Sequence, residues 1–377
     1  MRIALSGWFW NQLATGSGQY LHYLVEQLLK LFPESEFILI APPDRLSGQV
    51  AWADLRAHPL PAPPGPGGKV WWEQVLLPRA ACVVQADLLH VPYWAPPWWN
   101  PRPTLVTVHD LIPLLLPAYR GGLLGHLYTA LVRAASARGA YLLTDSECSR
   151  RDILQQLRVR PAEVQAIPLA VGGDYGPAPH PDDESIRRKL GVKPGYLLYL
   201  GGFDRRKNLQ AVFNAFVGVY RRLGAEARLV VAGRLPAADT AFTPDPRRLW
   251  RESGIPEGAV RFTGFVAETD KAALYRGARV FLFPSYYEGF GLPPLEALTC
   301  GIPVVGSNAA SLPAVVGAGG SLVSPTDVEG LTEAVLRLFT DEACYRQKRQ
   351  AALQQAARFS WEQTATETFA VYQKLVR

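Results

Sequence analysis

Cysteine is scarce and unpatterned in this chain. Cys82, Cys148, Cys300 and Cys344 include no CxxC pairing, which excludes a disulfide framework or a cysteine zinc site and leaves four reduced core thiols. Long apolar runs are absent too. Crossing a bilayer takes roughly 18 or more near-continuous apolar residues, yet the richest stretch, 111–118, is broken by Pro113 and Pro117. A membrane-spanning helix is therefore excluded. The opening MRIALSGWFW runs straight into a strand-like pattern with no cleavable leader behind it, which places the chain in the cytoplasm. No basic helix, RNP-type aromatic motif or zinc finger accompanies the formal charge of +6, so nucleic acid is not an expected partner. The surplus of 39 Lys+Arg over 33 Asp+Glu points instead to phosphate-bearing small molecules or an acidic membrane surface.

What is present is enough for a large core: 377 residues, 48% hydrophobic and 19% charged, an amount suited to two or three domains. Short β-branched apolar runs alternate with amphipathic stretches of helix length from end to end. That is the pattern of parallel sheets covered by helices on both faces. Strands are expected at 2–5, 37–40, 88–91, 104–108, 141–144 and 165–169, then again at 196–200, 228–232, 260–263, 280–283, 303–306 and 321–323. Between the two sets, VGGDYGPAPHPDDES at 171–185 lacks any apolar period and reads as a linker. Its acidic run, Asp182, Asp183 and Glu184, reads as a solvated turn. The expected organisation is a doubly wound domain over 1–175, a second over 176–358, and a final helix over 359–377 packing back toward the first. Such domains face each other across a cleft, with functional loops after the carboxyl ends of the strands.

Three loops carry chemistry. FLFPSYYEGFGLPPLEALTCGIPVV, 281–305, reads as a buried strand, a glycine-containing loop and a helix entered through Pro293 and Pro294. Glu288 falls in the loop and Glu296 is expected in the helix's first turn, where a solvated loop residue and a dipole-facing glutamate are the plain alternatives. Gly289 and Gly291 beside them allow a ligand close to the backbone, so the pair reads as a site. In LYLGGFDRRKNLQAVFNAF, 198–216, a strand ends in Gly201 and Gly202, and Arg205, Arg206 and Lys207 gather before a helix N-terminus. Clustered cations there make a phosphate site without a metal. Third, Gly16-Ser17-Gly18 opens an amphipathic helix and offers backbone amides to the same diphosphate.

EGFGLPPLE with its two glutamates, GGFDRRKN, the early GSG loop, VTVHDLIPL, TDSECSRRDI and the closing FSWEQTA together resemble glycosyltransferase family 4, over essentially the whole chain. The resemblance implies the GT-B fold, two Rossmann-like domains, and retaining transfer from a nucleotide sugar. It also implies roles. Arg206 and Lys207 hold the diphosphate, and Glu296 bonds the ribose hydroxyls. Glu288 holds the donor sugar near its anomeric carbon, with the amides of Gly289, Phe290, Gly291 and Leu292. His109 lies under that sugar, and Gly264, Phe265 and Val266 flank the base. Glu288, His109 and Lys207 are thus the expected catalytic residues. Where many relatives carry an arginine after the strand-ending glycine, Gly202 stands here, and Arg205 or Arg206 is left to replace its charge.

No two aspartates are separated by a single residue. The Asp-x-Asp metal motif of the other large glycosyltransferase class is missing, and neither a metal nor any cofactor beyond the donor is expected. Breaking the anomeric bond leaves extra charge on the diphosphate, and fixed cations aimed at it lower the barrier. HDLIP resembles bacterial mannosyltransferases of polysaccharide assembly, which implies GDP-mannose as donor and a saccharide or lipid-linked saccharide as acceptor. A UDP- or dTDP-sugar transferase, or a non-catalytic nucleotide- or sugar-binding protein of the same fold, is the alternative. Eight of ten tryptophans precede the linker, where flat faces suit sugar rings or a membrane interface, and core packing accounts for at least half of them. Residues 121–138 carry an apolar stripe with Arg133 and Arg138. That suits either packing on the sheet or peripheral docking on acidic lipid at the inner membrane face.

Overall fold

The computed structural model describes residues 1–46, 52, 54–65 and 67–377. It divides into two units: Met1–Leu169 with Ser360–Arg377, and Ala170–Phe359.

The first unit holds β1 (Arg2–Ser6), β2 (Glu36–Ala41), β3 (Leu55–Pro59), β4 (Leu88–Val91), β5 (Thr104–Thr107), β6 (Tyr141–Thr144) and β7 (Val164–Ala166). All pair in parallel in the order β3-β2-β1-β4-β5-β6-β7. The second holds β8 (Tyr196–Leu200), β9 (Leu229–Ala232), β10 (Val260–Gly264), β11 (Ala278–Phe283), β12 (Val304–Ser307) and β13 (Gly320–Val323), again parallel, in the order β10-β9-β8-β11-β12-β13. Each is the doubly wound order, whose strand sequence reverses at β1/β4 and at β8/β11. Ligands of such sheets bind at that reversal, beyond the carboxyl ends of the strands. The central strands are buried on both faces; Leu197, Leu198 and Tyr199 are fully covered, which is why they read as continuous apolar runs.

Of the described strands, β3 alone carries no apolar signal. Its LRAHP sequence sits at the sheet edge against β2, mostly exposed, so packing demanded no hydrophobic pattern. The linker reading overreached at its far end. A helix begins at Asp183 and runs to Leu190. Asp183 is buried, and its carboxylate accepts two hydrogen bonds from Arg276, at 2.7 and 2.6 Å. Burial alone raises a carboxyl's pKa, but the Arg276 hydrogen bond and charge outweigh it and hold Asp183 below the usual range. It is an internal anchor, not a solvated turn.

The last helix, Trp361–Val376, is capped by the Ser360 hydroxyl and lies on the helix Gly16–Leu31 and its end. Phe369 stacks on Phe32, and Trp361 on Tyr23. No described helix is long and apolar enough to cross a membrane.

Candidate active site

In the second unit the loops after β8 and β11 are stitched together at the strand reversal. A single turn, Arg205–Lys207, ends at Asn208, whose φ of 54° is left-handed, a conformation asparagine tolerates better than most residues. The Asn208 amide nitrogen donates to the Pro284 and Pro325 carbonyls at 3.1 and 2.7 Å. Tyr286 N–H donates to the Arg206 carbonyl at 2.9 Å, and Arg206 Nη1 returns a bond to the Tyr287 carbonyl at 2.8 Å. These bonds fix where the two side chains after Arg205 can reach.

They reach Glu288. Arg206 Nη1 stands 2.6 Å from Oε2 and Lys207 Nζ 2.7 Å from Oε1, while the Ser285 hydroxyl donates to Oε1 at 2.5 Å. Glu288 is only 8% exposed. Burial pushes its carboxyl up, but Lys207, Arg206 and the Ser285 hydroxyl overcome this and hold it below the usual range, ionised. The cluster is a carboxylate clamped by two cations, with Lys207 also over the Phe283 ring at 5.0 Å. Arg205 is exposed, so Arg206, rather than Arg205, brings the second charge to this cluster. Gly202 is exposed in the β8 loop before it.

Beyond Glu288 the chain passes Gly289 and a buried Phe290, which meets Phe359 edge to face at 5.8 Å. Gly291 follows, with φ 118°; a Cβ there would come within 2.9 Å of Leu312. Only glycine fits this entry to the helix Leu292–Thr299. The Leu292 amide is the first helical N–H, and the two prolines after it have none. The Ser311 hydroxyl lies within hydrogen-bond reach of the Glu288 and Phe290 carbonyls, which pins this turn from the far side.

Glu296 is not in the first turn. With Leu292 at the first helical position it falls in the second, facing inward and 4% exposed, so the dipole-facing reading does not apply. Tyr275 hydroxyl donates to its Oε2 at 2.7 Å, and Lys271 Nζ stands 4.0 Å from Oε1. Lys271 itself pairs with Glu268 at 2.6 Å, and Glu268 accepts from Tyr175 at 2.6 Å. Burial raises the Glu296 carboxyl, and the single distant cation and the tyrosines do not undo that. Lys271 and its tyrosines escaped the sequence reading because ETDK, opening the helix Glu268–Gly277, looks like an exposed i,i+3 ion pair. Val266 is buried in the core, while Phe265 is 55% exposed with Arg234 over its ring at 5.2 Å. The exposed side chain of that segment is Phe265.

In the first unit, Gly16 opens its helix behind the cap Thr15, whose hydroxyl accepts from Gly18 N–H at 3.2 Å. That amide is therefore already used. A Cβ on Gly18 would strike the Gln12 carbonyl at 2.1 Å, so this glycine serves close backbone packing, and only the Gly16 end of the loop faces open space. His109 follows β5; its Nδ1 is 2.8 Å from Asp145, and Tyr20 meets it edge-on at 5.0 Å. Burial lowers an imidazole's pKa, yet Asp145 prevails and His109 is raised. Deeper in, His90 bonds Tyr372 at 2.7 Å and Thr107 at 2.9 Å, and burial keeps its imidazole neutral, its pKa pushed down to about 3. The structure thus brings Arg206, Lys207 and Glu288 together and puts Glu296 in a separate network. His109, Gly16 and Gly18 belong to the other unit. Among the described residues no cluster of His, Cys, Asp or Glu has the makings of a metal site.

Two parallel α/β units with an anion-suited cluster at the strand reversal are the architecture of GT-B glycosyltransferases. Solved structures share it along the whole chain. Sucrose-phosphate synthase from Thermosynechococcus elongatus superposes with a TM-score of 0.79 at 22% identity, covering 100% of this chain and 99% of that one. HepE from Anabaena, in complex with UDP and glucose, gives 0.74 at 18% identity and covers 99% of both chains. The family models for glycosyl transferases group 1 and for the glycosyl transferase 4-like domain match residues 182–359 and 15–170. An O-antigen chain mannosyltransferase B of Escherichia coli is 31% identical over 383 residues, 96% of each protein. The chain belongs to glycosyltransferase family 4 and is a transferase.

Proposed function

We propose that this chain transfers a mannosyl group, with retention, from GDP-mannose to a saccharide or lipid-linked saccharide, without a metal. The observation that carries the reading is the buried Glu288 clamped by Arg206 and Lys207. In the proposed reaction the bond from the anomeric carbon to the diphosphate oxygen breaks, and its electron pair leaves with the diphosphate. An acceptor hydroxyl oxygen bonds that carbon, and its proton passes to the departing diphosphate oxygen. Arg206 and Lys207 share themselves between Glu288 and the diphosphate, so the charge developing on the leaving group meets preorganised cations in a largely dry site. Glu288, relieved of part of its pairing, faces the oxocarbenium-like sugar. Glu296 bonds the ribose hydroxyls. On the family pattern, His109 serves the donor sugar, and the Gly16 amide and the amides from Gly289 to Leu292 serve its phosphates and sugar.

Mannose rests on the name of the E. coli relative. A UDP-sugar is the second reading, favoured by the UDP complex of HepE. Exposed leucines and Arg133 of the helix Leu123–Ser136 support peripheral contact with an acidic membrane on the cytoplasmic side.

A melting panel with GDP, UDP, dTDP and ADP in excess chelator tests this. A nucleotide at a hundred times its Kd stabilises by about 2.7 kcal/mol, so GDP should stand out. Equal shifts from all four remove the donor assignment, and transfer abolished by chelator removes metal independence.

A further inference from the structure

The helix Leu123–Ser136 of the first unit is only half used for packing. Thr129, Val132, Ala135 and Ser136 are buried, whereas Leu123, Leu124 and Leu127 are 76%, 72% and 58% exposed. Leu124, Leu127 and Leu131 line one side of a groove of about 810 Å³ whose other walls include Val70, Trp71 and Trp98. That volume lies within the usual range of small-molecule pockets, roughly 300–1,000 Å³. Isolated surface leucines are ordinary, but a contiguous apolar groove with tryptophans in its walls marks a binding surface.

The groove is not apolar throughout. Lys69 and Tyr128 also line it. The Lys69 ammonium sits 5.4–5.8 Å from the rings of Trp8, Phe9, Tyr93 and Tyr128 and 3.3 Å from Glu73. Glu73 is fully buried and accepts from the Tyr128 hydroxyl at 3.0 Å. It is carried inward by a π-helical turn, Trp72–Leu76, a widened geometry that recurs at functional sites. A buried carboxylate is costly and contributes little to stability. Here it holds a partly exposed cation in the wall of a largely hydrocarbon-lined groove. On another face of the same helix a second cavity of about 410 Å³ is lined by Arg120, His126, Arg133 and Arg158 with no carboxylate among its lining residues. The groove itself joins aliphatic and aromatic walls to one cation, Lys69, the complement of an anionic amphiphile.

We propose that this groove binds a single anionic amphiphile, its hydrocarbon chain along Trp71, Trp98, Leu124 and Leu127 and its phosphate head toward Lys69. The identity of that amphiphile as the lipid-linked acceptor rests on the function proposed above; the groove's chemistry does not. Trp71 and Trp98 make it observable by intrinsic fluorescence. The full chain should bind dodecyl phosphate, below its micelle concentration, saturably and one to one. Dodecyl glucoside should bind about tenfold more weakly and inorganic phosphate give no response. The double variant Leu124→Gln/Leu127→Gln, altered at exposed positions and so expected to fold, should lose about tenfold or more in dodecyl phosphate affinity while keeping its nucleotide melting shift. That retained shift separates failure of the groove from failure of the donor reading. Non-saturable binding, equal affinity for the charged and uncharged amphiphiles, or a double variant that binds like the parent overturns the proposal. So does binding of phosphatidylglycerol vesicles without binding of the monomeric amphiphile, which would make the patch a membrane-docking surface only.

Discussion

Glu288 and Glu296 are eight residues apart, both almost wholly buried in the same unit, and their ionisation is pushed in opposite directions. Glu288 lies within 2.7 Å of two cations and is held charged. Glu296 has one ammonium at 4.0 Å and a tyrosine hydroxyl, and burial raises it. Burial alone therefore does not set the charge state; the distance to the nearest countercharge does. On the function proposed above, the tightly paired Glu288 beside the cation cluster answers charge that appears during reaction. On the same proposal, the weakly paired Glu296 accepts hydrogen bonds that exist before and after it.

The sharpest way to break this comparison is kinetic. Glu288→Ala should lower kcat by about a hundredfold or more while nucleotide diphosphate affinity, measured by calorimetry, falls little, because Arg206 and Lys207 remain. A near-normal kcat would deny Glu288 a transition-state role. Next in size, Lys207→Ala should weaken GDP binding by roughly thirtyfold and guanosine binding hardly at all, since a charge-assisted contact is worth about 1.5–3 kcal/mol. Equal losses for nucleotide and nucleoside would remove Lys207 from the diphosphate. Glu296→Ala should raise the donor KM by about tenfold and leave kcat nearly unchanged, the mark of binding shared by ground and transition states. A change in kcat with KM constant would reverse the two assignments.

The smallest effect is in pH dependence, where the two carboxyls should act with opposite sign. Glu288, with a folded pKa below its unfolded value, contributes stability present above about pH 4.3 and lost as pH falls through the folded value. Glu296, with a folded pKa above its unfolded value, contributes stability present below about pH 4.3 and lost as pH rises through the folded value. Melting curves across acid and neutral pH should accordingly show Glu288→Gln losing part of the acid-side decline. Glu296→Gln should lose part of the decline toward neutrality. The same direction of change in both variants would contradict the contrast.

Much of this was legible from residue order. Twelve of the thirteen described strands announce themselves because a parallel sheet covered on both faces needs uninterrupted apolar runs. The exception, β3, is an exposed edge that packing leaves unmarked. The residues of the cation-clamped glutamate were readable because strand-end loops with glycines and clustered charge are local patterns. What local pattern cannot carry is partnership across the chain. The sequence presents Arg205, Arg206 and Lys207 as equals, and only the folded loop, pinned by Asn208 to Pro284 and Pro325, directs two of them to a carboxylate more than eighty residues away. It presents Asp183 as one of three surface acids, and Arg276, ninety-three residues on, makes it an anchor. Val266 and Phe265 are neighbours in sequence, yet one turns into the core and the other to solvent. The sequence by itself determined the two doubly wound sheets and the loops that bear chemistry, because hydrophobic periodicity and glycine placement are short-range. Tertiary structure alone decided which charge meets which, because electrostatic pairing in a buried site depends on distances of a few ångströms that only the closed fold sets.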